Sequence, residues 1–215
     1  STLVTTRYSL LATRYSPFAF SLVAQSLYGI EPRRPARGKG AQGKSDRQNG
    51  YDLQLDYSRE IGNGTWSIGY TGTFVTESIV DTGLPGAVPV DRAGEHGAAN
   101  FAAVPDLRGN LSTTYKTATW SGTLQAVHVS SGRLDNLYNT PGNPTINMND
   151  IPSYFLFNLY GSYNVNDRIR VFGSIRNALD RDPVLTPYTV LNSPVYGAYY
   201  DKIGRQFSIG LDVRF

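Results

Sequence analysis

The stretch that decides the fold is Gly204 to Phe215, which reads Gly-Arg-Gln-Phe-Ser-Ile-Gly-Leu-Asp-Val-Arg-Phe. Because successive side chains of an extended strand point to opposite faces, one face of this stretch is wholly apolar from residue 207 onward. That face carries Phe207, Ile209, Leu211, Val213 and Phe215. The other face holds polar side chains, which an aqueous lumen tolerates. The pattern therefore favours a lipid-facing strand of a transmembrane β-barrel over a strand of a soluble sandwich.

Composition limits how such a chain could cross a membrane. The 215 residues are 40% hydrophobic and 17% charged, which is typical of a folded protein. No run approaches the roughly 18 apolar residues of a membrane-spanning helix, so strands would have to cross. The 15 Tyr, 9 Phe and 22 Gly fit strands, because aromatic residues form interfacial girdles and glycines serve turns in barrels.

Cysteine and charge exclude several classes of function. The chain has no cysteine, which excludes disulfides, thiolate metal sites and a cysteine nucleophile. Its net charge of +3 arises in one basic segment, so nucleic-acid binding is not predicted. That segment, residues 32–48, predicts a flexible loop, with contact to a polyanion such as lipopolysaccharide phosphate as the functional alternative. The start at Ser1, with no signal-type sequence, indicates a fragment or a processed product.

Segments with strand periodicity recur along the chain. Alternation of apolar and polar residues predicts strands at 51–57, 66–74, 107–115, 120–126, 155–163 and 169–175. Residues 2–13 and 18–29 are also rich in β-forming residues, but their alternation is blurred. The second of these runs is compatible with a buried helix as well.

The connections between these strands alternate in length. Short turns are predicted at 61–64, 116–118 and 164–168, and long connections at 30–49, 79–104, 131–150 and 177–203. An outer-membrane barrel has short turns on one rim and long loops on the other, whereas a soluble sandwich has no reason to sort its loops. We predict an all-β chain, an antiparallel up-and-down meander of about eight or nine strands, forming a portion of a transmembrane β-barrel. The alternative is a complete small barrel of about eight strands, which requires that residues 1–13 form no strand.

Near the end of the chain, a series of short motifs resembles one known family. The series is Arg176-Asn177-Ala178-Leu179-Asp180-Arg181-Asp182-Pro183, then Tyr199-Tyr200-Asp201, then Gly204-Arg205-Gln206-Phe207. It resembles the closing segment of TonB-dependent outer-membrane receptors, which has an Asn-Leu-Phe-Asp-like motif, a tyrosine-rich loop, a Gly-Arg and a final aromatic residue. The sequence departs from that pattern at Ala178-Leu179, where the family usually has a bulkier pair. The resemblance extends back to about Gly50, through residues 105–111.

The resemblance implies a location, a function and partners. Residues 50–215 would be the C-terminal part of a receptor barrel in the outer membrane of a Gram-negative bacterium, and residues 1–49 would be uncertain strands plus the basic loop. Such receptors take up scarce nutrients, such as siderophore-bound iron, a vitamin or a saccharide. Their barrels have about 22 strands and a plugged lumen, so this chain would not transport alone. The implied partners are a plug domain, the TonB energy-coupling complex, the barrel-assembly machinery and the lipids of the membrane. The alternative function is a small outer-membrane barrel that acts as an enzyme or adhesin.

The same resemblance assigns roles to individual residues. Leu211, Val213 and Phe215 would be the signal that the assembly machinery reads. Ligand contacts would come from the long loops and upper lumen walls, where the candidates are Tyr138, Asn139, Asn143, Asn147, Tyr188 and Tyr196.

The sequence gives little support for a catalytic or metal-binding function. Neither His96 nor His128 has partners at the spacing of a metal site or a catalytic triad. Carboxylate pairs such as Asp180 with Asp182, and Asp52 with Asp56, are common in turns and on lumen faces. We therefore predict no catalytic residue, no metal site and no cofactor.

Overall fold

The computed structural model describes residues 5–10, 18–27, 45–81, 86, 88–97, 103–185 and 199–215. Its strands are β1 (Thr5–Leu10), β2 (Phe18–Leu27), β3 (Ser45–Ile61), β4 (Gly64–Asp81), β5 (Val90–Asp91), β6 (Leu107–Thr117), β7 (Trp120–Val129), β8 (Gly132–Arg133), β9 (Asp150–Ile151), β10 (Tyr154–Asn164), β11 (Ile169–Arg176) and β12 (Gln206–Val213). Within these ranges, no helix has the length and apolar character needed to span a membrane.

The strands form one large antiparallel meander. Its order is β1-β2-β3-β4-β6-β7-β10-β11-β12, β5 adds to β4, and β8 pairs with β9 in a separate two-stranded sheet. Every neighbouring pair in the large sheet is antiparallel. The prediction of an all-β up-and-down meander is confirmed, and the run at 18–29 contains a strand rather than a helix.

The pairing of the first strands decides between the two predicted barrels. A complete small barrel requires β2 to pair with β12, but β2 has β1 on one side and β3 on the other. The alternative of a complete small barrel is therefore wrong, because residues 5–10 do form a strand. Among the strands that the structure describes, β1 and β12 do not pair with each other, so the sheet is not closed.

One face of the sheet, the apolar face, carries large apolar side chains with glycines between them. Directly opposed residues of an antiparallel pair share a face, and register links Leu124, Leu159, Ile175 and Phe207 in one row across four strands. On β12, Phe207, Ile209 and Leu211 are 71%, 85% and 62% exposed. Side chains of this size and exposure, side by side, are what a lipid-facing wall requires. The predicted orientation of the terminal strand is confirmed.

The other face, the polar face, is held by short hydrogen bonds between strands. Opposed hydroxyl groups lie 2.7 to 2.8 Å apart in the pairs Thr114 with Thr123, Ser121 with Ser162, and Ser174 with Ser208. Asp52 and Asp56 also lie on this face, and Thr73 donates to Asp52 at 2.8 Å. Polar groups of neighbouring strands thus satisfy one another, as on the lumen wall of a barrel.

Aromatic residues mark the two edges of the apolar face. Trp66 and Tyr163 lie close to the short turns, and Phe74 and Phe155 lie eight residues further along the same strands, towards the long connections. Eight residues span about 27 Å along a strand. With the usual tilt of about 35–45°, this length rises about 19–22 Å across the membrane. That rise is close to the apolar band of an outer-membrane barrel, which is about 25 Å tall and has aromatic girdles at both interfaces.

The hairpin of β3 and β4 is longer than the sequence predicts. Its strands continue past a register shift at Asn49 and Gly50, so Ser45–Gln48, predicted as loop, is part of β3. In this extension Arg47 Nη2 donates to Glu77 Oε1 at 2.6 Å. Polar pairs hold the extension together, and they carry no hydrophobic alternation that would reveal a strand. β3 also runs across the predicted domain boundary between residues 49 and 50.

Candidate functional site

Three long connections converge at one rim of the sheet, the loop rim. They join β4 to β6, β7 to β10 and β11 to β12. Their described parts, residues 88–97, 103–106, 130–153, 177–185 and 199–205, are called the loop cap below. A buried hydrophobic cluster unites the cap with the ends of β7 and β10, and its members are Val129, Leu134, Ile151, Tyr154, Leu156, Val184 and Tyr200. The second and third connections are therefore packed against each other through this cluster.

Main-chain hydrogen bonds join the first two connections. The His96 N–H donates to the Arg133 carbonyl at 2.7 Å, and the Arg133 N–H donates to the Gly94 carbonyl at 2.9 Å. Leu134 continues the pairing by donating to the Asn149 carbonyl at 2.7 Å. These bonds act like a short strand ladder, so the cap has a defined conformation.

A buried carboxylate anchors the next layer of the cap. Arg92 Nη1 donates to Glu95 Oε1 at 2.7 Å and to Asp135 Oδ1 at 3.1 Å. The Asn136 N–H also donates to Glu95 Oε1, at 2.8 Å. Burial raises the pKa of the Glu95 carboxyl, although the hydrogen bonds from Asn136 and Arg92 oppose that rise. The network links residues from two connections through charged hydrogen bonds, the strong kind.

A histidine links the first connection to the third. The His96 Nδ1 lies 2.6 Å from the hydroxyl oxygen of Tyr200, and the side chain of His96 has no exposed surface. Burial lowers the pKa of His96 to about 4 and raises the pKa of Tyr200. His96 Nε2 has no hydrogen-bond partner among the described residues. The imidazole is therefore held neutral at pH 7.

Gly132 leaves the space that the imidazole needs. A Cβ at this position would lie 2.6 Å from Cδ2 and Nε2 of His96 and would also collide with the Gly94 carbonyl oxygen. We expect Gly132→Ala to lower the free energy of unfolding of the cap by about 1–3 kcal/mol, because overpacking forces the backbone apart. Denaturant unfolding followed by proteolysis of the cap measures this loss.

The matched control for that substitution is Gly161→Ala on the apolar face. A Cβ there meets its nearest atom, the Ser121 carbonyl oxygen, at 3.8 Å, an ordinary contact. We expect a change within about 0.5 kcal/mol. Equal effects of the two substitutions would contradict the packing described for Gly132.

Below the cap, a cavity of about 450 Å³ opens on the polar face of β3, β4 and β6. Val104 and Pro105 of the cap contribute to its wall. Asp52, Thr73 and Arg108 follow one another across the three strands in a single row of the register. The Arg108 guanidinium lies over the ring of Tyr199, 5.4 Å from its centre. The cavity thus joins the sheet to the loop cap.

The predicted ligand contacts occupy different positions in the cap. Tyr138 packs against the hydrophobic cluster. Asn139 adopts a positive φ of 63° and accepts a hydrogen bond from the Ile146 N–H, and Asn143 donates to Thr140. Asn147 is exposed. Tyr188 and Tyr196 lie outside the described residues.

The sequence did not indicate the pairing of His96 with Tyr200. The two residues are 104 positions apart, and only the convergence of the connections brings them together. A signal was nonetheless present, since Glu95 and His96 stand between two glycines in a loop rich in glycine and alanine. The described ranges contain no cluster of His, Cys, Asp or Glu that could hold a metal ion.

The structure thus combines an apolar face between two aromatic girdles, a polar face, and one rim of short turns opposite one rim of long connections. The sequence model of a family described as TonB dependent receptor-like, beta-barrel, matches residues 13–178. The chain belongs to this receptor family. The family consists of transporters and receptors rather than enzymes.

The extent of the match differs from the extent of the resemblance seen in the sequence. The match to the TonB-dependent receptor barrel begins at residue 13, well before Gly50, and ends at residue 178, so most of the closing motif lies outside it. No curated protein and no solved structure matches the chain.

Proposed function

We propose that this chain forms part of an outer-membrane barrel for the energised uptake of a scarce nutrient, in a Gram-negative bacterium. The apolar face would contact lipid, and the polar face would line the lumen. The partners would be a plug domain in the lumen, the TonB energy-coupling complex, the barrel-assembly machinery, and lipid with lipopolysaccharide. The family membership supports this proposal.

The loop cap is the observation that carries the proposal. Long connections on a simple pore could remain separate, but here one hydrophobic cluster joins the second and third connections. Two buried polar networks then join the first connection to the second and to the third. A packed cap over a lumen-facing cavity is suited to selecting a ligand rather than to free diffusion. Exposed Asn139, Asn143 and Asn147 of the second connection would meet the ligand first.

The end of β12 would carry the assembly signal. Leu211 and Phe215 are 62% and 113% exposed on the apolar side, and Val213 is 39% exposed. Their side chains are therefore open to a partner before the barrel closes. Lipid would cover them afterwards.

Uptake by whole cells tests the proposed function. Cells that carry the receptor would be given a ferric siderophore, cobalamin or a glucose oligomer, each radiolabelled, with and without a protonophore. We expect uptake of one of these ligands, which stops when the protonophore removes the energy source. A variant in which a short turn replaces residues 131–149 should still insert but lose uptake at least about tenfold, because the cap no longer forms. Uptake that ignores the protonophore would indicate a passive pore and contradict the proposal.

A further inference from the structure

The cavity below the loop cap has a balanced charge. Its only charged lining residues are Asp52 of β3 and Arg108 of β6, within the part of the chain that the structure describes. They stand on either side of Thr73 in the register, two strand spacings or about 10 Å apart. Opposite charges at this separation do not neutralise each other through contact. Each presents its own polarity to the cavity.

Both charged groups have unused hydrogen-bonding capacity. Asp52 Oδ1 accepts from Thr73 at 2.8 Å, and the described residues place no donor on its second carboxylate oxygen. Among the described residues, no carboxylate lies within ion-pair distance of Arg108, and its contact is with the ring of Tyr199. A guanidinium has five N–H donors, and stacking on a ring uses none of them.

Neutral polar groups make up the rest of the hydrogen-bonding wall. These are Gln48, Gln54, Thr71, Thr73 and Asn110, and the apolar contribution comes from Val75, Val104, Pro105 and Val127. His128 also lines the cavity, but its ring stacks on Phe155 of the apolar face. Amide and hydroxyl groups both donate and accept, so they suit a partner that does the same. The apolar residues offer contact to C–H groups.

The charge arrangement selects among ligand classes. An anionic ligand is attracted by Arg108 but repelled by Asp52. A cationic ligand is attracted by Asp52 but repelled by Arg108. A hydroxyl group accepts from a guanidinium and donates to a carboxylate, so a chain of hydroxyls satisfies both ends without bringing in charge. We propose that the cavity binds a neutral, hydroxyl-rich ligand of the oligosaccharide type, an inference that rests on the proposed receptor function.

Calorimetry on the receptor that contains this chain, in lipid nanodiscs, tests the inference with three probes. These are a neutral glucose oligomer, a ferric tris-catecholate chelate, which is an anion, and cobalamin. We expect the oligomer to bind, and Asp52→Asn and Arg108→Gln each to weaken it by about tenfold or more, since each removes a charged hydrogen bond. Asp52→Asn keeps an acceptor for Thr73, so the sheet is preserved. Asp212→Asn, a polar-face carboxylate of β12 outside the cavity, should leave the affinity unchanged.

The other outcomes separate this inference from the proposed function. If the catecholate chelate binds, more tightly in Asp52→Asn and less tightly in Arg108→Gln, the cavity is an anion site and the oligosaccharide inference is overturned while a receptor function stands. Binding of cobalamin alone would also overturn the oligosaccharide inference while a receptor function stands. Oligomer binding that neither substitution alters places the sugar elsewhere and also overturns the inference. If none of the three probes binds, the oligosaccharide inference is overturned, whereas the proposed receptor function is decided by the energised uptake measured in whole cells.

Discussion

Leu159→Arg is expected to lower the free energy of unfolding of the barrel by about 2–4 kcal/mol in a lipid bilayer, because the charge would sit on the lipid face near the midplane. Leu159 lies on the apolar face of β10, midway between the aromatic residues Phe155 and Tyr163, and is 41% exposed. The neighbouring strands place Leu124 and Ile175 beside it. Urea unfolding in lipid vesicles measures the loss.

Tyr160→Arg is the matched control, one residue further along the same strand. Tyr160 lies on the polar face, where its hydroxyl donates to Gln125 Oε1 at 3.1 Å. An arginine there would be solvated by lumen water, so we expect the loss of only that hydrogen bond, about 1 kcal/mol. If the two substitutions cost the same, or if the order is reversed, the assignment of the two faces is wrong.

Acidification is expected to loosen the loop cap through His96. In the unfolded chain its pKa is near 6.5, whereas in the cap burial lowers the pKa to about 4. As the pH falls through this window, the unfolded chain binds a proton that the folded cap excludes. The free energy of unfolding of the cap therefore decreases, by about 3 kcal/mol when both limits are passed. Above pH 6.5 the contribution of His96 is fully present.

The groups around His96 modify this effect. Asp106 attracts the imidazolium and limits the fall in its pKa, Tyr199 and Tyr200 face the ring without charge, and Arg133 contacts it only through its backbone. Protonation of Glu95 changes the free energy of unfolding of the cap in the opposite direction. Because its pKa is raised in the cap, the folded state takes up a proton there at a higher pH than the unfolded chain does, which offsets part of the loss.

His96→Gln separates the two titrations. The amide can still pair with the Tyr200 hydroxyl but carries no titratable group, so the acid-induced loss should disappear and only the stabilising effect of Glu95 protonation should remain. Hydrogen exchange of the amides of Leu134 and Arg133, corrected for intrinsic rates, reports opening of the cap between pH 7 and pH 4. If opening of the cap increases equally between pH 7 and pH 4 in the wild type and in the variant, His96 is not its cause.

The sheet was predictable because its information is local. The alternation of apolar and polar residues in β6, β7, β10, β11 and β12 indicates which face of the sheet each residue occupies. The alternation of short and long connections indicates which strands pair. The first four residues of β3 were missed for the same reason. Ser45–Gln48 is wholly polar, and its strand conformation depends on cross-strand partners such as Glu77.

The candidate site was not predictable in the same way. The sequence placed His96 in a loop without partners, yet the structure pairs it with Tyr200, brings Arg133 against its backbone and leaves room for it at Gly132. Each of these contacts joins two connections whose meeting depends on the whole meander. Likewise, Asp52 and Arg108 enter one cavity only through the shared partner strand β4.

Labelling of single cysteines on β12 tests the two-faced wall most directly. The chain has no cysteine, so each substitution introduces the only thiol. Spin labels at Ile209 and Leu211 on the apolar face, and at Ser208 and Asp212 on the polar face, would be examined in lipid vesicles by electron paramagnetic resonance. We expect the first pair to collide mainly with oxygen dissolved in the lipid and the second pair mainly with a water-soluble nickel chelate. Equal accessibility at all four positions, or alternation in the opposite phase, would contradict a lipid-facing barrel wall.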